Sequence, residues 1–318
     1  MKVLFVSTKT SIATGSYRIW VKDLSNYMNK IGVQTEINSK CDASVVILGK
    51  ENRHHIDYYR RKMPNAKIGL INPSPQGKIK ADFIIAGSIE EMDSLSKYKN
   101  VFLYPLIEGM FEDQPLKVHK KVSPSTIGFH GHYPHLSKLN PYFKPALEEF
   151  SKERDICIKV ITGPQDFEWS KSKPKIKIKI VPWHVNTIKN EIGSCDIGII
   201  PNITYLKTDI AKSSIHDGLY DTDYTIRFKN KSNAGRLFVF MQMGVPVIAD
   251  ITPSNLHLLG DPECGYAVLS KEGCLNGLRW LSDPSNRSKM AQKARKEFNR
   301  LYNPITWTER LVRQINGL

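Results

Sequence analysis

The chain has 318 residues, 41% of them hydrophobic, which is enough for two domains with separate cores. No apolar run approaches the roughly 20 residues that a membrane-spanning helix needs, so a helical membrane protein is excluded. The formal charge of +15 points to an anionic partner, whether a nucleotide, an acidic lipid surface or nucleic acid, unless it reflects lysine-rich composition alone.

The opening MKVLFVSTKT has one early lysine and no cleavage-type segment behind it, so a cytoplasmic protein is expected. Cys41, Cys157, Cys195, Cys264 and Cys274 are scattered without metal-ligand spacing, which implies reduced thiols and no structural zinc. Lys2–Ser7 reads as a strand and Thr8–Ser16 as a polar loop. Trp20, Leu24, Tyr27, Met28 and Ile31 then recur at helical spacing up to a stop at Gly32. This is the start of a Rossmann-like unit, but it lacks G-x-G-x-x-G, so no dinucleotide cofactor is expected. Further strands are predicted at Val33–Ile37, Ser44–Leu48, Lys67–Ile71, Asp82–Ala86 and Val101–Tyr104, with helices around Ile56–Met63 and Ile89–Tyr98. Such alternation builds a parallel sheet whose ligands bind beyond the strands' carboxyl ends. The Thr8–Ser16 loop, Asn72–Gln76 and Gly87–Glu90 would face that site.

Pro105–Pro124 has prolines, glycine and charges without periodicity and reads as a linker. The pattern restarts with a strand at Thr126–Phe129, followed by a loop containing His130, His132 and His135, whose spacing is a poor metal signal. Ile156–Thr162 is another strand. Lys175, Lys177 and Lys179 alternate with isoleucines on the next, a pattern that more often protects a sheet edge than contacts lipid or nucleic acid. That strand ends at Trp183, and Ile197–Ile200 leads to Pro201-Asn202. Ile203–Tyr224 is long for a connection and carries Asp209, Asp217, Asp221 and Asp223. Gly265–Leu269 closes the second sheet, Asp283-Pro284 starts a basic helix, and Thr306–Glu309 is a capping-box candidate for the last helix.

The most informative stretch is Arg227–Asp250. Ser232 is a candidate N-cap, Ala234 to Met241 form a helix that is apolar almost all round, and Gly244 and Pro246 end it before a short strand. Arg227, Lys229, Lys231 and Arg236 crowd its start, where free N–H groups and the helix dipole favour an anion.

Lys231–Asp250, with its turn Gly244-Val245-Pro246-Val247-Ile248-Ala249, resembles the donor-binding signature of the GT-B glycosyltransferases. Cys195–Asn202 resembles a second family strand, and the Thr126 restart resembles the opening of the family's C-terminal domain. The retaining members' acidic pair is absent, because its places hold Lys231 and Val239. This leaves open whether transfer retains or inverts configuration. The resemblance implies an α/β GT-B fold with two Rossmann-like domains facing across a cleft. Residues 1–118 would form the acceptor domain and 119–302 the donor domain, with a terminal helix at about 303–318 crossing back. It also implies a nucleotide-sugar donor linked to UDP or GDP, no metal and no further cofactor. Gly131, Lys138, Trp183 (against the base), Asn202, Lys231, Ser232, Asn233, Ala234 and Arg236 are the donor-site candidates. A catalytic base is not identifiable; Glu90, Asp217 and Asp221 are the candidates. The expected acceptor is a cell-envelope glycan or lipid-linked intermediate, with peripheral contact to the anionic inner membrane face. Transfer to nucleic acid, as on modified bases of viral DNA, and non-catalytic sugar-nucleotide binding are the alternatives.

Overall fold

The computed structural model of the chain describes residues 1–73, 77–120, 122, 124–132, 136, 143–163, 174–202 and 233–318. The early aliphatic runs form strands β1 (Lys2–Val6), β2 (Gln34–Ile37), β3 (Val45–Leu48), β4 (Lys67–Ile71), β5 (Phe83–Ala86) and β6 (Val101–Leu103). They lie in the order β2-β1-β3-β4-β5-β6 with parallel neighbours. β3 (VVIL) and β5 (FIIA) are buried along their whole length, as strands covered on both faces require. Every predicted bound in this sheet falls within one residue of the observed strand.

The helix after β1 is less regular than its periodicity suggests. α1 (Gly15–Tyr17) runs into a π-helical stretch, Arg18–Asp23, and then into α2 (Leu24–Lys30). Apolar spacing locates a helix but does not distinguish i→i+5 from i→i+4 bonding, so the π stretch was not foreseen. α3 (Ile56–Lys62) and α4 (Ile89–Ser94) follow, the latter capped by the Ser88 side chain, which accepts from Glu91 N.

The second sheet begins with β7 (Thr126–His130), α5 (Phe143–Glu153), β8 (Cys157–Thr162) and β9 (Lys177–Pro182). It restarts through α6 (Ile188–Gly193), β10 (Ile197–Ile200), α7 (Gly235–Gln242), β11 (Val247–Asp250), α8 (Pro253–Leu259) and β12 (Tyr266–Val268). α9 (Lys271–Trp280) and α10 (Pro284–Leu301) then cover it. The strand order is β12-β11-β10-β7-β8-β9, again with parallel neighbours. β9 is an edge strand with Lys177 and Lys179 exposed, as edge protection requires, although Ile180 is also 48% exposed. The chain moves outward from β7 to β9 and restarts on the other side at β10. Such a reversal opens a crevice at the carboxyl ends of β7 and β10.

α7 seals the floor of that crevice. Leu237, Phe238, Val239, Phe240 and Met241 are all buried, and the Phe240 ring lies directly over Gly198 of β10. Each such side chain contributes about 1.5–3 kcal/mol of burial free energy, so the helix is firmly anchored. Gly244 (φ 66°) ends it, with Val245 N donating to Phe240 O at 2.9 Å in a Schellman arrangement.

The linker straps the two halves together. Ile107 and Phe111 join the second core, and His119 Nε2 donates to Gly244 O at 2.9 Å. The last helix, α11 (Pro304–Asn316), returns to the first sheet, where Leu311 and Ile315 join its core and Lys67 Nζ reaches Ile315 O at 2.9 Å. The Thr306 capping box is not used. Asn303 caps this helix instead, accepting from Ile305 N and Thr306 N, because Pro304 already occupies the first turn.

A Cβ on Gly244 would lie 2.8 Å from both Leu116 Cδ1 and Lys117 N, in a left-handed conformation that alanine adopts at a cost. Gly244→Ala should therefore destabilise the chain by about 1–3 kcal/mol. A guanidinium titration followed by far-UV circular dichroism should show an earlier midpoint; an unchanged midpoint would contradict this packing.

Candidate functional site

At the reversal crevice, the ends of β7 and β10 and the start of α7 converge on Arg236. Its Nη2 donates to Asn202 Oδ1 and, at 3.4 Å, to Pro201 O. The guanidinium lies over the Phe129 ring, 5.4 Å from its centroid. Gly131 (φ 121°) turns the chain away after β7, and a Cβ there would come within 3.2 Å of Arg236 Cδ. Asn202 N in turn donates to Asp250 Oδ2 at the end of β11. Two donors remain enclosed without an acceptor among the described residues, Arg236 Nη1 and Asn202 Nδ2. Arg236 also forms no ion pair among them, and burial pulls its guanidinium down only to about 10, so it stays charged at neutral pH. A sequestered cation with an unmet donor beside a second unmet donor is complementary to an anionic oxygen.

Of the residues predicted from sequence, Gly131, Asn202 and Arg236 come together here, whereas Ala234, just before α7, lines a separate cavity with Gly87, Ser88 and Ser254, and Asn233 precedes it. The helix starts at Gly235, later than a Ser232 cap implies, and the Asn233 side chain accepts from Gly235 N at 3.1 Å. Lys138, Lys231, Ser232, Asp217 and Asp221 lie outside the described residues, as do Arg227 and Lys229. Trp183 stands at the end of β9, half-buried, with the Arg18 guanidinium over its ring at 5.0 Å. Glu90 is buried at the seam between the two sheets' helices, where its carboxylate accepts from Ser254 N (3.3 Å) and Ser254 Oγ in the first turn of α8. It thus caps a helix from the other domain. His130 is no exposed ligand: it is buried, in contact with Arg236 O (3.2 Å) and edge-on to Phe240. Among the described residues no group of three or more His, Cys, Asp or Glu is placed to hold a metal, and all five cysteines are free. Sequence reasoning missed Arg18 and Asp250. An aspartate ending a fully buried strand was the available signal for Asp250; Arg18 had none.

Two parallel sheets, joined by a linker, closed by a returning helix and carrying a polar crevice at a strand reversal, can be compared with solved structures. Anabaena Alr3699/HepE, solved with UDP and glucose, matches over 100% of both chains at 9% identity with a TM-score of 0.62. The DNA-modifying enzyme β-glucosyltransferase, solved in the presence and absence of uridine diphosphoglucose, matches over 99% of this chain and 100% of its own, at 12% identity and a TM-score of 0.62. WaaG, a glycosyltransferase involved in lipopolysaccharide biosynthesis, matches to the same extent with the same identity and TM-score. The chain has the GT-B fold. No protein-family model and no curated protein sequence matches it, so the GT-B likeness lies in the architecture. Among the described residues no helix is long and apolar enough to cross a membrane.

The site's electrostatics have a measurable consequence. Burial pushes His130 down to about 4, so the folded chain keeps it neutral while the unfolded chain protonates it near the usual 6.5. That depression contributes stability at neutral pH that is lost as pH falls from 6.5 to 4, about 3 kcal/mol in all. Burial raises Asp23 to about 6, which acts in the opposite sense because a strained carboxylate is relieved on protonation. The total pH curve therefore mixes both groups, whereas comparison with His130→Gln isolates one. The stability gap between wild type and His130→Gln should shrink as pH drops from 7 to 4.5 in urea titrations; a pH-independent gap would contradict the assignment.

Proposed function

We propose that the chain is a nucleotide-sugar-dependent glycosyltransferase whose donor diphosphate is held in the β7–β10 crevice. The observation that carries this reading is the Arg236 guanidinium, charged, enclosed and unpaired, with Nη1 and Asn202 Nδ2 both lacking an acceptor among the described residues. Breaking a sugar–phosphate bond leaves negative charge on the diphosphate. A fixed cation and a helix start stabilise that charge without reorganising, and in this reading they do so without a metal. Gly131 keeps the crevice open for a close approach, and Trp183 offers a ring for the base. Lys138, Lys231 and Ser232 would add to the same site from their sequence positions. Glu90 is already engaged in capping α8, which leaves Asp217 or Asp221 as the general-base candidates for an inverting reaction.

In the same reading, residues 1–118 with 303–318 bind the acceptor and 119–302 bind a UDP- or GDP-linked donor. We favour a cell-envelope glycan or lipid-linked acceptor, with the basic surface resting on an anionic membrane face. HepE crystallises with UDP and glucose, and WaaG acts in lipopolysaccharide biosynthesis. The equal likeness to a DNA-modifying enzyme, together with the +15 charge, supports nucleic acid as the second reading.

Two measurements test these readings. With a panel of nucleotide sugars, wild type should turn over at least one donor. Arg236→Ala should lower that turnover by about 100-fold or more with an unchanged circular dichroism spectrum. Lys231→Ala should lower it in the same direction. Normal turnover in Arg236→Ala would overturn the diphosphate assignment, and no product from any donor would leave a binding protein without catalysis. Co-sedimentation with anionic vesicles and with duplex DNA, at two salt concentrations, separates the acceptors: salt-sensitive vesicle binding is expected, and preference for DNA would favour the second reading.

A further inference from the structure

Arg18 begins the π-helical stretch that follows the β1 loop, and its side chain is fixed on several sides. Nε and Nη2 both donate to Glu108 Oε2, at 3.1 and 2.6 Å, and Nη1 donates to Ile12 O at 2.6 Å. These bonds hold the guanidinium plane across the seam between the two sheets, over the Trp183 ring with 5.0 Å between Cζ and the ring centroid. Stacked atoms need about 3.5–4.0 Å on each side, so a nucleobase cannot be inserted between the two groups as they stand. A planar, delocalised guanidinium is the side chain best able to occupy an aromatic face in place of a base. Its anchor, Glu108, belongs to the linker, and the Glu108 carbonyl also accepts from Gln242 Nε2 at the end of α7 (3.3 Å). The contact on Trp183 is therefore tied to the helix whose other end forms the anion site.

We propose that Arg18 is a gate on the donor site: its guanidinium covers the face of Trp183 that a nucleobase takes, and a nucleotide binds only when Arg18 leaves it. This rests on Trp183 being the base platform. The gate makes Arg18 a positioning residue that couples nucleotide arrival to the linker through Glu108.

The test is calorimetric binding of UDP and GDP to wild type, Arg18→Ala, Arg18→Lys, Trp183→Leu and the Arg18→Ala/Trp183→Leu double variant. Arg18→Lys retains a cation for Glu108 while losing the planar stack, so it reports on the gate if Arg18→Ala fails to fold. The gate predicts about five-fold tighter binding in Arg18→Ala and a smaller gain in Arg18→Lys, the strength of one cation–π contact. Trp183→Leu should weaken binding about ten-fold, and the double variant should match Trp183→Leu, having no platform to uncover. Weaker or unchanged binding in both Arg18 variants, with Trp183→Leu still impaired, would overturn the gate and leave the platform standing. Unimpaired binding in Trp183→Leu would overturn the platform itself, and the gate with it.

Discussion

A half-buried, charged guanidinium whose Nη1 is shut off from solvent, with no carboxylate paired to it among the described residues, sets the terms for the rest of this molecule. Leaving Arg236 unpaired costs free energy that a stable fold must recover elsewhere, and the recovery is visible in α7, whose five consecutive apolar side chains are all buried. The helix delivers Arg236 to the one place in the second sheet where the strand order reverses. There, among the described residues, no strand covers the carboxyl ends of β7 and β10. Asn202 and Asp250 extend the polar cluster from neighbouring strand ends, while neutral, buried His130 supports the main chain of Arg236 from below.

The linker and the last helix are what allow two sheets to act on one ligand. Ile107 and Phe111 sink into the second core, α11 closes on the first, and Glu90 reaches across to the start of α8. Trp307 packs against both cores, and the Glu90–Ser254 contact crosses the seam as well, so the two halves are held in register. Arg18 adds a cation on the first half whose charge is spent on Glu108, which makes it suited to stacking and ill suited to binding phosphate. Both arginines lie over a ring, but Arg18 is paired with Glu108, whereas Arg236 at its helix start has no ion pair among the described residues.

Much of the architecture was legible in the sequence because short buried strands are written as unbroken aliphatic runs. VVIL, FIIA and IGII each proved to be a fully buried strand. The Gly244-Val245-Pro246 turn was equally readable, since a left-handed helix end favours glycine. Local signals failed where several residues compete for one job. Ser232 and Thr306 both look like caps, yet the first helix starts after Ala234 with no side-chain cap, and Asn303 caps the second. Glu90 looked like a free acid in a cleft-facing loop, and only the folded chain brings Ser254 to it. Arg18 and Trp183 are far apart in sequence, and nothing in either segment announces the other. Contacts of that kind depend on how two domains meet, which local periodicity does not encode.

A crystal structure of the chain soaked with UDP or GDP shows directly where a nucleoside diphosphate sits. The expected result is β-phosphate oxygens within hydrogen-bonding distance of Arg236 Nη1 and Asn202 Nδ2, at the carboxyl ends of β7 and β10. A diphosphate bound elsewhere, with both of those donors still unmet, would contradict it.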